Sequence, residues 1–272
     1  MILVTGATGT VGRPLVSLLV EAGAQVRALS RNPETADLPA GVEVARTEDL
    51  PMDGVTSVFF VLAAFPDGPA EVIEKAKAAG VRRIVALSSF SVHDQNPKNG
   101  IAIKHRQLEQ EIRDSGLEWT FLRPAGGFAI TALEWAGQIR GSGIVRFPFG
   151  RAHTAPVHER DIADVAALAL LGDDLVGATP QFSGPESLTY ADRARIIGEA
   201  LGRELRFQEI SADEAREDWR AVGIPPHAIE ARLGMFAQQV DVEHPIDPIE
   251  PITGKPARTF AQWAADHADD FR

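Results

Sequence analysis

Short apolar runs alternate with amphipathic ones through the first half of the chain. Ile2, Leu3 and Val4 form a compact apolar run, as expected of a strand buried on both faces. Over 11–22 the positions Val11, Leu15, Leu18, Leu19 and Ala22 share one helical face, and Gly23 is placed to stop the helix. Q-V-R-A-L-S, from Gln25, predicts a second strand, and V-E-V-A, from Val42, a weaker third. S-V-F-F-V-L-A-A, from Ser57, is apolar throughout and predicts a strand covered on both sides. A helix is expected over 69–79 with Gly80 as its stop. R-I-V-A-L-S-S then predicts a buried strand, 101–115 a helix stopped by Gly116, and W-T-F-L-R-P a strand closed by Pro124. Strand and helix in strict alternation imply a parallel sheet with right-handed crossovers, a doubly wound α/β fold.

The second half is less regular. An apolar helix starts at Arg160 and should pack back on the sheet. Thr189, Ser211 and Thr259 sit where helix N-caps are expected, and Thr189 has Asp192 three residues on. P-P-H-A-I-E-A-R-L lies between the last two of these helices. H-P-I-D-P-I-E-P-I, from His244, should be an irregular loop. These patterns divide the chain into an α/β domain over 1–150, with 157–172 packing back on it, and a smaller C-terminal lobe over most of 173–272.

Charge and composition remove several function classes. Acidic residues outnumber basic ones, 38 to 27, for a net charge of −11, which argues against a nucleic-acid partner. The absence of cysteine excludes disulfides, thiolate zinc sites and a cysteine nucleophile. No apolar run approaches bilayer length. The N-terminus lacks a basic leader, so a cytoplasmic location without a signal peptide is expected. His153, His158 and Asp161 lack compact ligand spacing, and no metal is expected.

The chemistry concentrates in M-I-L-V-T-G-A-T-G-T-V-G. Gly6, Gly9 and Gly12 lie between a strand and a helix start. The helix N-terminus offers unpaired N–H groups and the positive end of its dipole, and glycines let a pyrophosphate approach the backbone. Gly6 suits the tight turn, Gly9 the approach to phosphate and Gly12 the helix packing, as in a Rossmann-like domain. With Thr8, Thr10 and Val11 they form the expected cofactor-binding set. After the second strand comes Leu29-Ser30-Arg31-Asn32, with no carboxylate until Glu34. An acidic residue there would bond the ribose of NAD. An arginine accommodates a 2′-phosphate, so Arg31, with Asn32, predicts NADP(H) over NAD(H). Asp49 and Leu50 are placed to flank adenine.

With T-G-A-T-G-T-V-G at its start, the chain resembles the NmrA-like group of atypical short-chain dehydrogenase/reductases. S-G-L-E-W-T-F-L-R-P, H-E-R-D-I-A-D-V-A, F-S-G-P-E-S-L-T and R-T-F-A-Q-W-A resemble further stretches of that group. The resemblance implies the fold and an NAD(P)-dependent reductase of quinones or dyes. It also implies an alternative, a non-catalytic redox sensor that binds a protein partner. The wider superfamily carries a Tyr-x-x-x-Lys pair. With Glu109 as anchor, Ile101 falls in the tyrosine slot and His105 in the lysine slot, and the one tyrosine, Tyr190, lies far along the chain.

A conjugated acceptor suits such a site, because its reduced anion needs no strong acid. His105 is the candidate catalytic residue. Its spacing from Ile101, Leu108 and Ile112 puts it on a face expected to look toward sheet and cofactor, where it bonds ribose or substrate, pairs with Glu109, or serves as a core histidine. Ser89 and Lys104 are the other catalytic candidates. Ser88 and Ala63 are placed along the cofactor, and Phe90, Gly126 and Phe128 along the substrate pocket. Arg123 is pocket wall or ion-pair partner. A small-molecule substrate and a homodimer are expected.

Overall fold

The structure is a computed structural model describing residues 1–97 and 99–272. Along the chain run β1 (Ile2–Val4), α1 (Gly12–Glu21), β2 (Val26–Ser30), β3 (Glu43–Arg46), β4 (Ser57–Val61), α2 (Ala70–Ala78), β5 (Arg83–Leu87), α3 (Gly100–Asp114) and β6 (Glu118–Pro124). There follow α4 (Ala136–Ser142), β7 (Ile144–Phe147), β8 (His153–Thr154), α5 (Glu159–Leu171), β9 (Gln181–Phe182), β10 (Leu188–Thr189) and α6 (Tyr190–Ala200). Last come β11 (Arg206–Glu209), α7 (Ala212–Ala221), α8 (Pro226–Gln238), α9 (Glu250–Thr253) and α10 (Phe260–Asp266).

The chain forms two compact units. The first comprises Met1–Pro124, Glu159–Phe182 and Ile249–Lys255. Its seven-stranded sheet has the order β3-β2-β1-β4-β5-β6-β9, parallel throughout. This is the expected doubly wound Rossmann-like sheet, extended by β9. Ile2 pairs with Val26 on one side and Ser57 on the other. One face of the sheet, with Leu3, Leu29, Val58, Phe60, Ile84 and Phe121, packs against Val72, Ile73 and Ala76 of α2 and Leu108 and Ile112 of α3. On the other side α5 packs on β4, β5, β6 and α1. Each fully buried phenylalanine here contributes about 2–3 kcal/mol of apolar burial.

The second unit comprises Ala125–His158, Ser183–Pro248 and Pro256–Arg272. Two small sheets, β10 with β8 and β11 with β7, frame its core. Trp135, Phe147, Tyr190, Trp219, Phe236, Phe260, Trp263 and Phe271 are buried in that core. Thr189, Ser211 and Thr259 each cap a helix through a full capping box.

Two expectations are corrected. The first unit leaves off at Pro124, before residue 150, because Trp135, Ile139, Val145 and Phe147 find their apolar partners in the second core. After residue 173, β9 adds an edge to the large sheet and α9 packs on α5. The proline-rich run is not all loop: it ends in α9, where Glu250 and Pro251 occupy the first helical turn, a position that tolerates proline. Among the described residues no helix is long and apolar enough to cross a membrane.

Candidate functional site

The glycine turn is held at the carboxyl end of the sheet. Thr5 N donates to Phe59 O at 3.0 Å, and Val61 N donates to Thr5 Oγ1 at 2.9 Å, which ties the turn to the end of β4. Gly6 is left-handed, with φ of 61°. Gly9 N donates to Gly6 O at 2.9 Å and closes the turn. A Cβ on Gly12 would lie 2.1 Å from that same oxygen and 2.8 Å from Ala7 Cα, so only glycine fits. A Cβ on Gly9 would lie 3.1 Å from Gly6 O, tight rather than forbidden. Val11 caps α1 without a side-chain hydrogen bond; in the first turn Arg13 N already donates to Gly9 O at 3.0 Å and Pro14 carries no N–H, so what the helix offers an anion is chiefly the positive end of its dipole. Strand order reverses between β1 and β4, the point where such sheets hold ligands. This is a cradle that side chains would fill, and it fits the pyrophosphate of a dinucleotide. Thr8 is half-buried, Thr10 exposed and Val11 buried around it.

At the end of β2, Ser30 is buried and its Oγ accepts from Asn32 N at 3.1 Å. Arg31 and Asn32 are exposed. The Leu50 expectation is corrected. The residue is 2% exposed, within the hydrophobic core and at φ of 43°, so its side chain is spent on packing. Asp49 is exposed, and its carbonyl accepts from Lys75 Nζ at 3.4 Å.

The end of β5 carries a polar network that only partly follows expectation. Ser88 Oγ donates to Glu109 Oε1 at 2.7 Å. Arg123 donates to both Glu109 oxygens, at 2.9 and 2.6 Å, and Arg113 to Oε2 at 2.9 Å. Burial alone would push the Glu109 carboxyl up. The hydrogen bonds from Arg123 and Ser88 and the arginine charges outweigh it and hold it below the usual carboxylate range. Arg123 is thus an ion-pair partner, and Ser88 spends its proton on Glu109. The neighbouring Ser89 is half-buried, and its Oγ accepts from Ser91 N at 3.1 Å. Phe90 follows, 39% exposed, with its ring 5.2 Å from that of His93. Ala63 is exposed in the 3-10 turn after β4.

The face assigned to His105 is corrected. The buried line of α3 is Ala102, Leu108, Glu109 and Ile112, whereas Ile101 is 62% exposed. The line is rotated from the expected one because Glu109, satisfied by three partners, can point inward. His105 does not pair with Glu109; its Nδ1 lies 2.9 Å from Ile101 O. A carbonyl only accepts, so Nδ1 is the donor in this pair. Lys104 is exposed. Tyr190 is no replacement acid: burial pushes its phenol up to about 12, and it packs on Phe147 and Phe236 in the second unit.

Gly126 and Phe128 both belong to the second unit. Gly126 has φ of 78°, and a Cβ there would lie 2.4 Å from Ala155 O. Phe128 is half-buried and forms a parallel bridge with Val157. The glycine is thus explained by backbone approach. Among the described residues no group of His, Asp or Glu is arranged to hold a metal ion.

Comparison with known proteins places this geometry. A family profile described as NAD(P)H-binding matches residues 6–171. A (4-alkanoyl-5-oxo-2,5-dihydrofuran-3-yl)methyl phosphate reductase of Streptomyces griseus subsp. griseus is 39% identical, covering 100% of this chain and 99% of its own. An NAD(P)H azoreductase of Xenophilus azovorans is 33% identical, covering 100% and 99%. Among solved structures, an NADPH-dependent quinone oxidoreductase from Escherichia coli matches with a TM-score of 0.78 and 25% identity, over 98% of this chain and 99% of that one.

Proposed function

The chain belongs to the NAD(P)H-binding family, among the NmrA-like atypical short-chain dehydrogenase/reductases, and is by class an NAD(P)H-dependent oxidoreductase; we propose that it uses NADP(H) to reduce a conjugated, electron-poor small molecule. Held at the glycine turn, NADPH would supply a hydride. Gly6, Gly9 and Gly12 admit the pyrophosphate, and Arg31, exposed at the end of β2, meets the 2′-phosphate. Support for the acceptor comes from the relatives, whose names describe an alkanoyl-substituted unsaturated lactone, azo compounds and a quinone.

The observation that carries the reading is the hydrogen bonding at the end of β5 and the start of α3. Ser88 commits its hydroxyl proton to Glu109, and His105 turns Nδ1–H back to Ile101 O. Ile101 occupies the slot of the family tyrosine, and Tyr190 is buried elsewhere. A saturated ketone would become a strongly basic alkoxide and would require a placed acid. A conjugated acceptor becomes a delocalised anion, with a pKa of roughly 10 for a phenol-like product, which water can protonate. Ser89 keeps its own proton for a hydrogen bond to the acceptor, and Phe90 supplies an aromatic face.

Absorbance at the nicotinamide band tests this with four acceptors: an acyl-substituted unsaturated lactone, a quinone, an azo dye and a saturated ketone. NADPH oxidation is expected with at least one conjugated acceptor, and at a rate about 10²-fold or more lower with the ketone. Equal rates with the ketone would sink the reading. Binding of NADPH with no oxidation by any acceptor would favour the dinucleotide sensor instead.

A further inference from the structure

Arg31 is not the only guanidinium at the end of β2. Arg46 ends β3, paired in register with Ser30 of β2. Its NH2 bonds a carboxylate oxygen of Glu34. Arg13, in the first turn of α1, reaches the same segment from the other side, bonding the backbone oxygen of Asp37, with the Asp37 carboxylate 3.5 Å away. Two arginines from two different elements therefore reach across to residues 34–37, which begin three residues after Arg31. Arg31 itself has no partner among the described residues, while the other two are held by carboxylates of that one segment. Both ion pairs are exposed: the side chains of Arg13 and Arg46 retain 44% and 45% of their accessibility, those of Asp37 and Glu34 100% and 66%. Exposed pairs of this kind are weak and readily exchanged.

We propose that Arg13 and Arg46 are further determinants of NADP(H) specificity, and that Glu34 and Asp37 are internal competitors that the 2′-phosphate displaces. This rests on the NADP(H) reading above and adds to it. A phosphate presents three acceptor oxygens and close to two charges, so it outbids a single carboxylate for a guanidinium. Three arginines around it give one positive charge more than the phosphate carries. Before binding, Glu34 and Asp37 cancel most of that field and hold the side chains in reach. NAD(H) lacks the phosphate and has no means to release the carboxylates. The acidic residues of this segment therefore act opposite to the ribose-binding carboxylate of an NAD enzyme: they occupy the arginines until a 2′-phosphate takes their place, and leave NAD(H) unaffected. The pattern was present in the sequence as Arg13, Arg46, Glu34 and Asp37, but nothing in their spacing brings them together.

Calorimetric titration of the full chain with NADPH and NADH tests this in the wild type, Arg31→Ala, Arg13→Ala, Arg46→Ala and the double variant Glu34→Gln/Asp37→Asn. The substituted side chains are on the surface, so folding is not at stake. Arg13→Ala and Arg46→Ala are each expected to weaken NADPH about fivefold to twentyfold and NADH less than about twofold. The double variant is expected to bind NADPH about twofold to fivefold more tightly, with NADH unchanged. Raising salt should narrow the gap between the two cofactors in the wild type. If Arg31→Ala selectively loses NADPH while Arg13→Ala and Arg46→Ala do not, the extended site is wrong and the NADP(H) reading stands. If the double variant binds NADPH no more tightly than wild type, the competitor role is wrong. If the wild type binds neither dinucleotide, or Arg31→Ala weakens both equally, the underlying reading fails and this inference with it.

Discussion

A methyl group on Gly12 would lie 2.1 Å from a backbone oxygen that already closes the turn, whereas one on Gly9 meets the same oxygen at 3.1 Å. The two glycines are therefore required for different reasons. Gly12 is needed by the fold, because neither the Gly6 carbonyl nor Ala7 Cα can move without breaking the turn. At Gly9 the fold can absorb a few tenths of an ångström, so on the proposed reading it is the ligand that needs that glycine. Gly12→Ala is expected to cost about 2 kcal/mol or more in urea unfolding. Gly9→Ala should cost less than about 1 kcal/mol while still weakening NADPH in calorimetry. Equal stability losses for the two would contradict this separation.

Within α3, one buried charge decides which face turns inward. Glu109 is 2% exposed and bonded by Arg123, Arg113 and Ser88. It ties the helix to the ends of β5 and β6, and so holds the strand end from which Ser89 and Phe90 emerge. Glu109→Gln keeps the size and removes the charge, leaving Arg123 and Arg113 without it, at a cost of about 3 kcal/mol. The pH dependence follows from the depressed carboxyl. A folded-state pKa below the unfolded value adds stability above the usual carboxylate pKa of about 4.3, and that stability is lost as pH falls through the folded value. Wild-type melting temperature should therefore fall more steeply between about pH 5 and pH 3 than that of Glu109→Gln. Parallel curves for the two proteins would remove Glu109 as the source.

At the scale of the whole molecule, neither unit is a continuous stretch of chain. The large sheet needs Glu159–Phe182, because α5 covers β4, β5 and β6 and β9 pairs with β6. Arg83 makes the dependence concrete. Its side chain is 1% exposed and bonds Glu118, Ala169 O at 2.9 Å, Gly172 O and Asp173. A fragment of residues 1–150 would keep Arg83 and lose all but Glu118 of those partners, together with the cover that α5 gives β4, β5 and β6. Such a fragment is expected to show no cooperative thermal transition and no NADPH binding. A folded, nucleotide-binding fragment would overturn that account.

What the sequence determined alone was whatever depends on neighbours a few residues apart. The glycine turn, the helix caps at Thr189, Ser211 and Thr259, the buried apolar strands and the missing Tyr-x-x-x-Lys pair all repeat over one or two turns of chain. Hydrophobic periodicity also found α3, but it placed Ile101 on the buried line, because an apolar residue was weighed by its type alone. The tertiary structure decided which face turned inward, since the burial of Glu109 depended on Arg123 arriving from a strand that pairs with β5. It decided equally that Leu50 is core, that the first unit ends at Pro124 and recovers its last strand near residue 181, and that Arg13 and Arg46 meet Glu34 and Asp37 beside Arg31. Each of these rests on contacts between residues far apart in the chain, and side-chain type and spacing carry no record of which distant partner will satisfy a charge or cover a face.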